Sequence, residues 1–511
     1  MVTASLRAIP SLDPRDQYNQ QLVQNVHPPQ WVNPTPKPCY DLVVIGAGTA
    51  GLVCTAGAAG LGATVALVEK SLMGGDCLNV GCVPSKALIR AARACHDVRK
   101  AGVFGVRAQE SVEVDFPAVM ERLRKLRADL SLHDSAGRFR DLGVDVFLGE
   151  ARFVNPRSIR VISHTLRFNK AVITTGARAV DLPIAGLSEI GYLTNENVFC
   201  LTERPARLAV IGGGPIGCEL AQAFARLGSQ VFLLEQQRQL LPREDRDAAA
   251  IVEKALVHDG VQINCCCNIK SVTARDNKKY LALEGPDCTS ALCVDEILIG
   301  VGRAPNVEGL DLEAAGVEYD KRGVQVDDFL RTSNRRIYAA GDICSPYKFT
   351  HAADAMARIV IQNALFLGRK RASALTIPWC TYTDPEVAHV GLYPAEAEKR
   401  GISLDTLKVP LEEVDRAVLD SETAGFLKVH VESATGHILG ATLVARHAGE
   451  TISELTLAMQ VKMTMGRLAT IMHPYPTQAA VIRQAADVYN RRRLTPQVKK
   501  LLGLILKITR W

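Results

Sequence analysis

Short apolar runs, each broken by a glycine turn and followed by a helix-length stretch, recur twice along this chain. Asp41–Leu42–Val43–Val44–Ile45 reads as a buried strand and runs straight into Gly46–Ala47–Gly48–Thr49–Ala50–Gly51. A helix pattern follows, then a second strand over Ala63–Thr64–Val65–Ala66–Leu67–Val68 that ends in Glu69. The same order returns downstream. Leu208–Ala209–Val210–Ile211 leads into Gly212–Gly213–Gly214–Pro215–Ile216–Gly217, and the strand Gln230–Val231–Phe232–Leu233–Leu234 ends in Glu235. Each acid stands 23 residues after the first glycine of its turn. Such glycines let the backbone approach a pyrophosphate at a helix N-terminus, and the acid takes ribose hydroxyls. Strand, turn, helix, strand and acid in this order predict two dinucleotide sites.

Other segments fit around these units. Leu123 through Leu142 reads as one helix, and Val172–Ile173–Thr174–Thr175–Gly176–Ala177 as a strand entering a turn. Asp295–Glu296 opens a strand, Ile297–Leu298–Ile299, that runs into Gly300–Val301–Gly302–Arg303–Ala304–Pro305–Asn306. Ile337–Tyr338–Ala339–Ala340–Gly341–Asp342 is a further strand and turn. Past Pro378 the pattern alternates, with Phe426–Val431 and Ile438–Val444 reading as antiparallel strands. Residues 1–39, with their glutamines and prolines, read as an extended lead-in.

Composition narrows the class. With 511 residues the chain should form several domains, and 47% hydrophobic with 22% charged residues is ordinary for a globular protein. A formal net charge of +6 is mild for this length and does not argue for nucleic acid. No apolar run approaches the 18 or so residues that span a bilayer. The 14 cysteines are scattered, and residues 1–39 show no apolar core segment or small-residue cleavage site. Reduced thiols in a cytoplasmic protein are the expectation.

Two cysteines stand apart from that background, in Gly74–Gly75–Asp76–Cys77–Leu78–Asn79–Val80–Gly81–Cys82–Val83–Pro84–Ser85–Lys86. Five residues of regular helix rise about 7.5 Å, whereas a disulfide needs Cα atoms within roughly 4.4–6.8 Å. If the two bond, Cys77 must sit in an irregular turn before the helix, which Gly74, Gly75 and Gly81 allow. Cys82 then stands at a helix N-terminus, where backbone N–H groups favour a thiolate. Two unrelated buried cysteines are the alternative.

The thirteen-residue run resembles the active site of the flavin-dependent pyridine nucleotide–disulfide oxidoreductases, and the resemblance extends over roughly residues 40–490. It implies an α/β fold with FAD-binding and NAD(P)-binding Rossmann-like domains and an α+β C-terminal dimerisation domain. An N-terminal extension at 1–39 would precede the first part of the FAD domain at 40–180 and the NAD(P) domain at 181–300. The second FAD part would be 301–375, the dimerisation domain 376–490, and a tail 491–511 would follow. Cofactors would be FAD and NAD(P)H, and the protein a homodimer with a small-molecule or metal-ion acceptor. Cys77 would be the interchange thiol, Cys82 the thiol beside the flavin, Lys86 the nearby lysine and Glu219 its acidic partner. FAD contacts would come from Gly46, Gly48, Gly51, Glu69, Lys86 and Asp342, and further cofactor contacts from Ala151, Thr175, Gly176, Gly302 and Thr350. The nicotinamide cofactor would meet Gly212, Gly214, Gly217, Glu219 and Glu235. No resident metal site is expected.

The chain departs from that family at one informative place. Disulfide reductases of the family carry His-x-His-Pro-Thr-x-x-Glu, whose second His and Glu form an acid–base dyad. Here the stretch is His473–Pro474–Tyr475–Pro476–Thr477–Gln478–Ala479–Ala480, so Tyr475 and Ala480 replace the dyad. Imidazole titrates near neutrality, whereas phenol has a pKa of about 10. Tyrosine here resembles mercuric reductase, although no cysteine follows Cys380 to form that enzyme's terminal pair. The expected acceptor is Hg(II) or another soft electrophile. Lipoamide-type disulfide reduction and NAD(P)H dehydrogenation toward a quinone-like acceptor are the alternatives. Cys265–Cys266–Cys267 is read as structural, three thiols on a strand facing alternate sides. His351 is read as a structural histidine. The tail from Arg491 carries seven Lys or Arg and no acid, and fits either a cover over the dimer or weak contact with an anionic membrane surface.

Overall fold

The computed structural model describes residues 12–107, 112–286, 288 and 291–510. The chain divides into two compact units, one built from residues up to Gln236 and from Gly260–Leu375, the other from Gln237–Asp259 and from Thr376 onward.

The first unit is built on a seven-stranded sheet. Its parallel part runs Asp145–Leu148, Val65–Glu69, Tyr40–Ile45, His164–Ile173, with Ile337–Ala339 also pairing the last of these. Leu42, Val43 and Val44 are wholly buried, as continuous apolar strands of a parallel sheet must be when both faces are covered. The helix Thr49–Gly60 packs on Thr350–Leu365, and Gly57 permits that approach, because a Cβ there would stand 2.6 Å from Ile361. A second parallel sheet orders Gln262–Asn264, Gln230–Leu234, Arg207–Ile211 and Glu296–Ile299, with helix Pro215–Arg226 following its glycine turn.

Three expectations are corrected here. The lead-in is not extended throughout, since Gln17–Val26 is a helix capped by Asp16, which accepts from the Asn19 N–H at 2.8 Å. Leu22 and Val26 are wholly buried, so tertiary packing, not propensity, holds this glutamine-rich segment helical. Residues 1–11 of the lead-in lie outside the described residues. The single helix expected over Leu123–Leu142 is broken. Phe116–Leu130 ends in a 3₁₀ turn, and Ser135 caps a new helix, Ala136–Asp141, by accepting from Arg138 N–H. Cys265–Cys267 is not on a strand but forms a kink between Gln262–Asn264 and Asn268–Arg275, with Cys266 at φ +54°. That turn leaves Cys267 buried and hydrogen-bonded to Cys288, which fits the structural role.

The second unit carries a five-stranded antiparallel sheet in the order Pro378–Thr381, Glu386–Gly391, Ile438–Ala445, Phe426–Glu432, Leu404–Pro410. Helices Ala448–Gln460 and Ala480–Arg493 bury Ile452, Leu455, Val481 and Ile482 in the core beside that sheet. Two histidines sit wholly buried in it. His389 stacks on Tyr393 at 3.8 Å and bonds Thr442 Oγ1 at 2.7 Å, and His430 bonds Thr406 Oγ1 at 2.9 Å. Burial pushes His389 down to about 3 and His430 to about 4, so both stay neutral in the fold. In the unfolded chain each takes a proton near 6.5. Their contribution to stability is therefore complete above pH 6.5 and is lost as pH falls from there, down to about 4 for His430 and about 3 for His389, costing about 2 kcal/mol per histidine by pH 5. Denaturant midpoints at pH 7.5 and pH 5 should show this loss, and His430→Gln should remove about half of it, leaving the His389 share. Equal midpoints for the unsubstituted protein would contradict the burial argument.

Candidate active site

The cysteine run folds as two helical pieces with a break. Gly75–Asn79 is one short turn carrying Cys77, and Cys82–Lys100 is a nineteen-residue helix beginning at Cys82. Gly81 forms the break, where an added Cβ would stand 2.7 Å from Asp76 O. Gly75, at φ +57°, lets the loop press against the first glycine turn, since its Cβ would lie 2.6 Å from Gly48 Cα. The redox loop and the first dinucleotide turn are thus in direct backbone contact.

Within this loop Cys77 and Cys82 are free thiols hydrogen-bonded to each other. Sharing that bond lowers Cys82 to about 6, assisted by the Thr350 hydroxyl, 3.4 Å from its Sγ, and by the Lys86 ammonium one turn along the helix. Cys77 is pushed the other way, chiefly because its proton is held against Cys82 and secondly by burial. The pair is split into one thiolate and one thiol at neutral pH. Lys86 Nζ donates to Glu219 Oε2 at 2.8 Å, and Glu219, on helix Pro215–Arg226, is buried. Thr350, read from the sequence only as a cofactor contact, therefore also meets the thiols.

The remaining residues can be tested against the two cofactors. At the first turn a Cβ on Gly46 would strike Thr174 O at 2.5 Å, and one on Gly51 would strike Gly46 O at 1.8 Å. Gly48, by contrast, would meet only Gly75 Cα at 3.6 Å. Glu69 accepts the Ala47 and Ser71 N–H groups, each at 2.7 Å, which holds its carboxylate at the strand end. At the second turn Gly217 is closed by Gly212 O at 1.9 Å, Gly214 has open space around it, and Glu235 accepts the Gly213 N–H at 2.6 Å. Both turns are tight where the chain crosses itself and open at the middle glycine, as a pyrophosphate cradle requires. Arg303 pairs with Asp76 and lies 3.6 Å from Asp342 Oδ2, and its buried Nε has no hydrogen-bond partner among the described residues. Asp342, raised by burial, is joined through its carbonyl to Lys348 Nζ at 2.8 Å. These residues fit FAD and a nicotinamide dinucleotide.

Other expected contacts are less directly placed. Thr175 spends its hydroxyl on Asn306 O at 2.8 Å, and Gly176 O accepts the Asn306 N–H, so the two crossovers are zipped side by side. Gly302, at φ +131°, lies in the second of them. Ala151 is buried at the start of the strand Ala151–Asn155, two residues past Gly149, whose N–H donates to Glu69 O. His351 is exposed and stacks on Phe349 at 5.5 Å.

Sequence reading missed several residues. Arg127, wholly buried, donates to Asn79 O at 2.8 Å and to Asn19 Oδ1 at 2.5 Å, tying the cysteine loop to the N-terminal helix. Nothing in a lone arginine on a helix signals this. Arg303 stands in the Gly300–Asn306 segment, where the adjacent Gly302 carries the more visible sequence signal. In the second unit Tyr475 donates to Asp415 Oδ2 at 3.0 Å, and that bond raises its phenol further. His473 Nε2 meets Glu454 Oε1 at 2.8 Å and its Nδ1 faces Ile471 O at 3.3 Å, so both ring nitrogens are engaged.

Residues 40–357 match the family described as pyridine nucleotide-disulphide oxidoreductase, and 377–486 match its dimerisation domain. The chain belongs to this family and is an NAD(P)H-dependent FAD flavoprotein disulfide oxidoreductase. It is 33% identical over 453 residues to a mercuric reductase of Bacillus cereus, covering 88% of this chain and 72% of that one. It is 36% identical over 454 residues to the dihydrolipoyl dehydrogenase of Bacillus subtilis, covering 88% and 96%. Among solved structures it resembles the Cu(II) complex of the HOCl-induced flavoprotein disulfide reductase RclA from Escherichia coli, with a TM-score of 0.77 and 28% identity over 87% of this chain and 98% of that one. LpdA from Mycobacterium tuberculosis matches with a TM-score of 0.80 and 27% identity over 89% and 99%. No helix among the described residues is long and apolar enough to cross a membrane.

Proposed function

We propose that the protein reduces Hg(II) or a comparable soft electrophile through Cys77 and Cys82, working as a homodimer. FAD, when bound, supplies the two-electron relay between NAD(P)H and the sulfurs. Overall, the hydride of one NAD(P)H converts the Cys77–Cys82 disulfide to one thiol and one thiolate, leaving NAD(P)+. Cys82 then holds a thiolate stabilised by Cys77, Thr350 and Lys86, and Cys77 is the thiol that meets the acceptor. Lys86 and Glu219 form the charge pair beside the hydride path. The glycines of both turns, Glu69, Ala151, Thr175, Gly176, Gly302, Asp342, Thr350 and Glu235 would hold the two dinucleotides. Residues 40–180 and 301–375 would bind FAD, 181–300 the nicotinamide, and 376–490 would form the dimer.

The observation that carries the choice of acceptor is the Tyr475–Asp415 bond. A phenol already donating to a carboxylate, with its pKa raised by it, cannot deprotonate a dithiol substrate at neutral pH. The nearby His473–Glu454 pair favours the second reading, lipoamide-type disulfide reduction, because it is an imidazole–carboxylate pair. Both nitrogens of that ring are engaged, however, and neither is left for a substrate thiol. The test is steady-state NAD(P)H oxidation with Hg(II) plus excess small thiol, lipoamide, glutathione disulfide and a soluble quinone. Hg(II) should support Cys77-dependent turnover and the disulfides should not. Glu235 repels a 2′-phosphate, so NADH should be modestly preferred. Robust lipoamide turnover without any Hg(II) response would reverse the assignment.

A further inference from the structure

The helix Pro496–Ile508 lies against nothing in the described chain that buries it. None of its residues is buried, and Val498, Leu501, Leu502, Leu504, Ile505, Leu506 and Ile508 are 38–75% exposed. Thr495 caps it by accepting the Val498 N–H at 3.3 Å, and Pro496 opens its first turn, so the helix has its own start signal. Its faces are sharply divided. At 100° per residue, Lys499, Lys500, Lys507 and Arg510 fall within an arc of about 100°. The seven apolar residues fill the opposite arc of about 200°.

Seven exposed apolar side chains on one face are not a stable surface for water, so something covers them. Charge decides what. The segment from Arg491 onward holds seven cations and no acidic residue, and Arg491–Arg493 end the preceding helix, also exposed. A second copy of the same tail would bring like charges together. We infer that this helix lies in the headgroup region of an anionic bilayer, its leucine and isoleucine face in the acyl boundary and its cations on lipid phosphates. That is the disposition of interfacial helices with a basic polar face, and such a helix lies on a membrane without spanning it, in keeping with no helix among the described residues being long and apolar enough to cross one. The catalytic reading above does not depend on this placement.

The test is co-sedimentation of the holoenzyme with vesicles of equal parts phosphatidylcholine and phosphatidylglycerol, beside vesicles of phosphatidylcholine alone. Binding should occur with the first, be far weaker with the second, and fall in high salt. Each cation near an anionic surface strengthens binding about fivefold. Lys499→Gln with Lys500→Gln and Lys507→Gln should therefore weaken it on the order of a hundredfold. Leu501→Asp with Ile505→Asp should abolish it while NADH oxidation, melting temperature and dimer mass stay unchanged, since these side chains are exposed. Failure to bind anionic vesicles, equal binding to both vesicle types, or conversion of dimer to monomer by the aspartate pair would each overturn the assignment, the last in favour of a second copy.

Discussion

Serine at Cys77 or Cys82 is expected to reduce NADH-driven turnover of the soft-electrophile acceptor on the order of 10³-fold or more, as loss of an activated nucleophile does. The FAD should remain bound, because neither sulfur supports the glycine turns or Glu69. The two thiols should also separate by reactivity. In the reduced protein Cys82 should alkylate with a half-maximal rate near pH 6, well below the ordinary thiol value, because Cys77, Thr350 and Lys86 all favour its thiolate. Cys77→Ala removes the largest of these causes and should move the midpoint upward toward the ordinary thiol range. Lys86→Met should move it upward by less, since that side chain acts through space. The measurement is iodoacetamide labelling read by mass spectrometry across pH. Equal rates for both cysteines with a midpoint near 8.5 would mean the assigned thiolate is wrong.

Disulfide reduction should appear when the missing dyad is restored. Tyr475→His with Ala480→Glu should raise lipoamide or glutathione-disulfide turnover by about 10²–10⁴-fold over a weak background, the ordinary worth of general-base catalysis. Asp415, which now takes the Tyr475 hydroxyl, would be left facing imidazole, so Asp415→Asn in the same background should free the ring and increase the gain. Ala480 opens the helix Ala480–Arg493, where a carboxylate is favoured by the helix N-terminus and should not cost stability. The Hg(II) rate should change little, because that acceptor requires no thiol deprotonation by this group. A double variant that folds and binds FAD but gains no disulfide activity would show that the dyad is not what separates the two acceptor classes.

Local signals carried the part of this protein that chemistry needs at fixed spacing. Two glycine turns with an acid 23 residues on, and a cysteine run long enough to be specific, are readable because phosphate approach and sulfur exchange demand those residues in that order. The break between Cys77 and Cys82 was legible on the condition that the two bond, since a continuous helix would hold them too far apart. Tertiary structure decided everything set by partners far off in the chain. Helix Gln17–Val26 looked extended because its helicity comes from burying Leu22 and Val26, which no local pattern encodes. Arg127 reaching Asn79, Arg303 reaching Asp76, and Thr350 meeting the thiols are contacts across 48, 227 and 268 residues. The roles of Tyr475 and His473 also waited on the fold. Their identities were legible, but whether a ring is free to act as a base depends on Asp415 and Glu454, which only folding brings beside them.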